Sequence, residues 1–264
     1  PLATSVVSNP QYSGNTFNQN TYHAVGIIPE TLSQNATLER IFVGGPPQFT
    51  DYFPYIHLGA LTIGSGAKLT TEAGVIVKVL SGTPLVVNGG LDMLGQNNPT
   101  GFVIYTSIHD DSKGGDSNVN GSSTSPAAGN WNGIQFNTTA TASLIEWSHF
   151  RFGGSGNGII RMASASPTVR NCEFEINTWG LWIQNVSNPV VQDNLFRLTT
   201  YLPVTASINA NPTYSGNVYD NNGYDALGLI GEPIGQNVTI SKRNLAGYTN
   251  ITRILVGTLT VNFG

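Results

Sequence analysis

Charge is what this chain has least of. Only 10% of its 264 residues are charged, against roughly a quarter in an ordinary soluble domain. A face that binds nucleic acid gathers lysine and arginine together. Here 11 basic residues are scattered through a chain of net charge −4, which argues against that class of function. The single cysteine, Cys172, leaves no internal disulfide, so stability has to come from a buried core of sufficient size. No apolar run is long enough to cross a bilayer. No apolar period of 3.6 residues persists beyond two turns, so a helical bundle is not expected. Asparagine, serine, threonine and glycine stand where charge is missing, and they suit tight turns between short strands. The chain opens at Pro1, without Met and without a signal peptide. It is therefore expected to be a processed piece whose targeting information lies elsewhere.

What is present is repetition, on two scales. The segment Asn9-Pro10-Gln11-Tyr12-Ser13-Gly14-Asn15 returns 202 residues later as Asn211-Pro212-Thr213-Tyr214-Ser215-Gly216-Asn217. At the same offset Ala24, Gly26, Ile28, Gln34 and Asn35 meet Ala226, Gly228, Ile230, Gln236 and Asn237. Gly59-Ala60-Leu61-Thr62-Ile63 then reappears as Gly257-Thr258-Leu259-Thr260-Val261, the offset shortened to 198 by a small deletion. The organisation expected is one full unit over residues 1–202 and the opening of a second copy over 203–264. Tandem units of this kind point to an array, not to a single catalytic domain.

The shorter period starts at Pro10, Pro167, Pro189 and Pro212, each followed seven residues on by an aromatic: Phe17, Phe174, Phe196 and Tyr219. Twenty-two or 23 residues per repeat is too short for a βαβ unit of about thirty and fits three short strands with three bends. One such coil cannot hide its own apolar face, so coils must stack. The fold class expected is all-β: a right-handed parallel β-helix with coils of about 22 residues. Twelve coils at a rung spacing of about 4.8 Å would give a rod of about 58 Å. Within a coil, Val169 and Phe174 are expected to face inward and Arg170 and Glu173 outward. Asn15, Asn194 and Asn217 share a bend position with Cys172, where stacked amides would form a ladder along the rod. Residues 31–55 and 232–250 show the least regular pattern and are expected to be loops or an insertion.

The strand pair Leu69–Val79, the coil Leu85–Gly95, the loop Asp110–Gly121 with Trp131-Asn132-Gly133-Ile134, and the Asn-rich coils from Pro167 onward resemble the bacterial right-handed parallel β-helix repeat proteins. These form the non-catalytic surface-array branch of the pectate-lyase-like superfamily. The resemblance covers about two thirds of the chain. It implies a structural module of an extracellular filament or adhesin, joined end to end to neighbouring copies and contacting polysaccharide. The superfamily also contains polysaccharide lyases, glycoside hydrolases and non-catalytic polysaccharide-binding modules. Those remain the alternatives, because a fold does not fix a function.

Two groups of residues carry chemistry. Asp116-Ser117-Asn118-Val119-Asn120-Gly121 matches the oxygen-rich front of a calcium loop. Asp110 and Asp111 stand ready to supply further carboxylates, and Ala127 replaces the usual twelfth-position Glu. Asp110, Asp111, Asp116, Asn118 and Asn120 are thus the expected ligands of a structural calcium ion. Trp179 and Trp182 are the candidate sugar contacts, Trp182 turning outward if Leu181 and Ile183 are core. Catalysis is not expected. Glycoside cleavage calls for two acids flanking the bond, and Asp110-Asp111 is the only adjacent acidic pair.

Overall fold

The computed structural model describes residues 2–8, 10, 12, 20–41, 53–140 and 142–261. It is a right-handed parallel β-solenoid of about ten coils of roughly 24 residues, slightly longer per coil and fewer in number than the sequence period suggested. Three sheets form its faces. Among the described residues the first face carries nine strands, from Ala3–Thr4 and Val25–Ile27 up to Val218–Asp220. The second also carries nine, from Glu30–Leu32 to Leu227–Ile230 and Arg253–Val256. The third carries seven, from Ala36–Leu38 to Thr213–Ser215. Among the described residues no helix is long and apolar enough to cross a membrane.

Parallel strands keep like residues one above another, and the core is built from that alignment. Phe174 lies in register with Phe150 below and Phe196 above. Its ring stacks on theirs at centroid distances of 5.2 and 4.7 Å. Tyr219 closes the column edge-on to Phe196 at 5.7 Å. Phe17 and Asn15, the counterparts near the start of the chain, lie outside the described residues. The amide ladder forms as the spacing predicts. Cys172 N–H donates to Asn194 Oδ1 at 2.9 Å, and the Asn194 amide donates to Asn217 Oδ1 at 3.0 Å. The ladder also satisfies backbone carbonyls that the bend leaves open, those of Val169 and Val191. Cys172 is fully enclosed, and burial pushes its thiol up to about 12, the mark of a packed, inert thiol.

The corners repeat as faithfully as the strands. Trp147, Asn171, Asp193 and Gly216 all have positive φ at one corner, and Phe152, Ile176, Leu198 and Asn221 do so at the next. Asn, Asp and Gly enter the left-handed region cheaply, whereas Trp, Phe and Ile do not. Ladder bonds hold the costly ones in place: Ile176 N–H donates to Arg197 O and Leu198 N–H to Asp220 O. Of the stretches expected to be irregular, residues 235–250 carry no strand and 42–52 lie outside the described residues, but the rest enters the sheets. Glu30–Leu32 and Ala36–Leu38 are strands of the second and third faces, and Pro233–Ile234 pairs with Thr260–Val261. Their short patterns give too little alternation to recognise.

Candidate functional site

The outer side of the first face is where chemistry gathers. Strand alternation turns Lys78, His149, Arg151, Glu173, Glu175 and Arg197 away from the core. Register places His149 beside Glu173, Arg151 beside Glu175, and Glu175 beside Arg197. The side chains form a ladder across three rungs. Arg151 Nε lies 2.7 Å from Glu175 Oε2 and its Nη1 2.8 Å from Asp110 Oδ2. His149 Nε2 lies 3.2 Å from Glu175 Oε2 and 3.8 Å from Glu173 Oε2. Arg197 reaches Glu173 Oε1 at 3.3 Å and Glu175 Oε1 at 3.5 Å. His149 and Arg151 acting on Glu175 outweigh its burial and hold its carboxyl down at about 2. It is therefore ionised throughout the ordinary pH range and has no proton to give. His149, Glu173 and Glu175 bring three metal-competent atoms within 4.8 Å of one another, but Arg151 and Arg197 already take these carboxylates.

No motif in the sequence singles out this ladder, yet a signal exists. His149 and Arg151 recur one coil later as Glu173 and Glu175, and these recur in the coil after as Leu195 and Arg197. Alternate residues at coil spacing share one outer surface. Arg151, Arg161 and Arg170, close enough in sequence to suggest one shared face, stand instead on three different faces.

The loop 108–121 folds over the same face. Ile108 packs with Ala24 and Ile56 in a small apolar cluster outside the sheet. Beneath the loop sits Lys78, completely buried, with Nζ donating to Asp110 O at 2.9 Å and to Gly115 O. Burial lowers its ammonium to about 8 against the opposing pull of Asp110, Asp111 and Asp116. Flanked by valines in Val77-Lys78-Val79, it reads in sequence as an ordinary strand residue. In space it is the cation at the centre of an acidic loop. Replacing Lys78 with Met takes the ammonium from the buried Asp110 carbonyl and leaves Gly115 O to Ser117 Oγ alone, at a cost of about 2 kcal/mol. Amide exchange across residues 110–121 is expected to speed up well before global unfolding. Unchanged exchange there would show that the loop does not hang on this lysine.

The five expected calcium ligands divide. Asp110 is buried and turned inward, Oδ1 accepting from Ser112 N–H and Oγ, and Oδ2 from Thr106 Oγ1 and Arg151. Both oxygens are spent, so Asp110 leaves the ligand set. Asp116 accepts from Asn120 N–H at 3.2 Å and Gly121 N–H at 2.8 Å, fixing the turn. Asp111 Oδ1, Asn118 Oδ1 and Asn120 Oδ1 are enclosed with no hydrogen-bond partner. Burial, reinforced by Asp116, raises the Asp111 carboxyl. Enclosed oxygens lacking donors are the chemistry a hard cation completes.

The two tryptophans also divide. Trp182 does point outward, but it is 7% exposed. Trp179 covers it edge-on at 5.3 Å, and Gly158 of the preceding coil closes on its Cβ. Local alternation does not reveal such a cover. Trp179 itself is half-buried and stacks on Tyr201 at 4.6 Å; Tyr201 and, one coil on, Tyr224 are exposed.

A family model, the right-handed beta helix region, matches residues 111–247. No curated protein and no solved structure matches the chain.

Proposed function

Because this chain belongs to the right-handed β-helix family, whose members share a scaffold and not a chemistry, we propose that it is a structural module of an extracellular surface array, carrying a polysaccharide contact on its side. The observation that carries this reading is the unit-scale repeat, which extends to side-chain bonding. Ser5 Oγ and Val6 N–H donate to Glu30, and at the equivalent place in the second copy Ser207 Oγ and Ile208 N–H donate to Glu232. The sugar contact rests on the Trp179–Tyr201 stack with Tyr224 alongside, Trp182 serving as its support. Aromatic rings spaced along a rod offer flat apolar faces. Binding to a glycan array is expected to fall at least tenfold in Tyr201→Ala. A glycan signal indifferent to Tyr201 would leave the module purely structural.

The alternative is a carbohydrate-active enzyme acting at the ladder of His149, Glu173 and Glu175. Against it, Glu175 is held ionised and both carboxylates are paired with arginine, which suits a fixed surface better than a proton donor. Depolymerisation of acidic or neutral glycans by the intact chain would overturn the structural reading.

Calcium is proposed as a staple of the loop, held by Asp111, Asp116, Asn118 and Asn120. Extracellular modules of this kind bind at about 10⁻⁴ to 10⁻³ M, and at ten times Kd the gain is about 1.4 kcal/mol. The melting temperature is expected to rise by a few degrees in millimolar calcium and not in Asp116→Ala. A wild-type midpoint indifferent to calcium and to chelator would leave the loop held by the side chains of Lys78 and Arg151 without a metal.

A further inference from the structure

The unit-scale repeat is also a repeat of strand register, and the register changes face. Ala3 lies beside Gly26 and Thr4 beside Ile27 on the first face. Their counterparts in the second copy, Thr205 beside Gly228 and Ala206 beside Leu229, pair identically on the second face. The next rung follows, with the C-terminal partners at the shorter offset of 198. Val25 beside Tyr55 and Gly26 beside Ile56 belong to the first face. Leu227 beside Arg253 and Gly228 beside Ile254 belong to the second. The strand after that agrees too: Thr31 with Thr62 and Leu32 with Ile63 become Pro233 with Thr260 and Ile234 with Val261. The corner bond from Ser5 to Glu30, 2.7 Å, recurs from Ser207 to Glu232 at 2.6 Å.

Counting rungs gives the displacement. On the first face seven pairings lead from Ala3–Thr4 to Leu195–Arg197. The next strand in the chain, Val204–Ala206, opens the second copy one face further round. We infer that one unit advances the solenoid by seven coils and one face, so that successive units present the same surface on successive sides of the rod. This rests on the array reading above for its consequence, though not for its geometry. In an array, the charged ladder of His149, Arg151, Glu173, Glu175 and Arg197 lies on the first face of one unit, the second of the next and the third of the one after. It returns to the same side after three units, 22 coils or about 106 Å at about 4.8 Å per rung. A partner lying flat along one side of the rod meets the ladder in every third unit. A whole-number repeat would instead offer it in every unit, about 34 Å apart.

Two measurements test this separately. In the chain as it stands, methyl NMR is expected to show contacts from the Thr205 methyl to the Trp182 indole, since register places these residues side by side on the second face. Contacts from Thr205 to Leu195 on the first face instead would overturn the inference, whatever becomes of the array. The second measurement uses a tandem protein of four copies of the unit 1–202 carrying Cys172→Ser and, at an exposed position, Val186→Cys, so that each copy takes one gold label. Labels on one side of the rod are expected about 106 Å apart, the rise of 22 rungs. Labels in line at about 34 Å, the rise of seven rungs, would overturn it. A tandem protein that forms no continuous rod would sink the array reading, while the Thr205 contacts decide the geometry of the unit alone.

Discussion

Phe174→Ala is expected to destabilise the protein by about 4 kcal/mol, the upper part of the usual range for a buried phenylalanine. The ring has no solvent exposure and is stacked between two others, nearly parallel to Phe196 at an interplanar angle of 7° and to Phe150 at 14°. Its removal therefore ends two stacking contacts, each of about 0.5–1.5 kcal/mol beyond simple burial, and leaves a cavity walled by rungs that cannot move together. Those rungs are tied by hydrogen bonds at fixed strand spacing, so the void stays open. A solenoid is held mostly by nearest-neighbour interfaces, and the damage should be uneven along the rod. Exchange at Leu195–Arg197 and Val218–Asp220 is expected to accelerate more than at Ile76–Val79. Phe174→Leu, which refills most of the space, should recover more than half the loss. If denaturant unfolding of Phe174→Ala gives a loss of less than about 1 kcal/mol, well under the range for such a truncation, the aromatic column is not what joins these coils.

The same column shows why this part of the molecule is legible in the sequence and other parts are not. Phe174, Phe196 and Tyr219 sit in coils without insertions, so sequence spacing equals spatial register and the Asn194–Asn217 ladder can be read directly from the chain. Between His57 and Phe150 the coils carry loops of unequal length, and constant spacing fails. Lys78 is the clearest case. Its burial depends on carbonyls of Asp110 and Gly115, 32 and 37 residues away, reached only when the loop folds back over the sheet. Asp110 groups with the calcium loop in the sequence because it is near in the chain. Its partner, Arg151, comes from a later rung. Alternation gives Trp182 its correct side, but the cover over it comes from a neighbouring corner. Strand pattern decides the side on which a residue lies; what lies above it is set by the corners.

His57 makes stability depend on pH in the mildly acidic range. It points into the core from the strand Tyr55–His57 and has no solvent exposure. Its ring is edge-on to Tyr105 at 6.0 Å, and neither nitrogen has a hydrogen-bond partner. Burial alone lowers its pKa to about 4, below the value near 6.5 of an unfolded chain. Between these two values the unfolded chain binds a proton that the folded one refuses, and stability rises with pH wherever that holds. The contribution is therefore complete above about 6.5 and is lost as pH falls towards 4, by about 3 kcal/mol in all. Glu175, depressed to about 2, adds a later loss at pH below the unfolded carboxylate value. The second copy suggests the variant that separates the two. Leu255 stands 198 residues after His57, in the equivalent strand position. His57→Leu should flatten the curve between pH 6.5 and 4, leave the more acidic loss in place, and not lower stability at pH 7, since two unpartnered buried nitrogens disappear with the ring. Chemical denaturation at half-unit pH steps measures this. An unchanged slope in His57→Leu would place the proton uptake on another group.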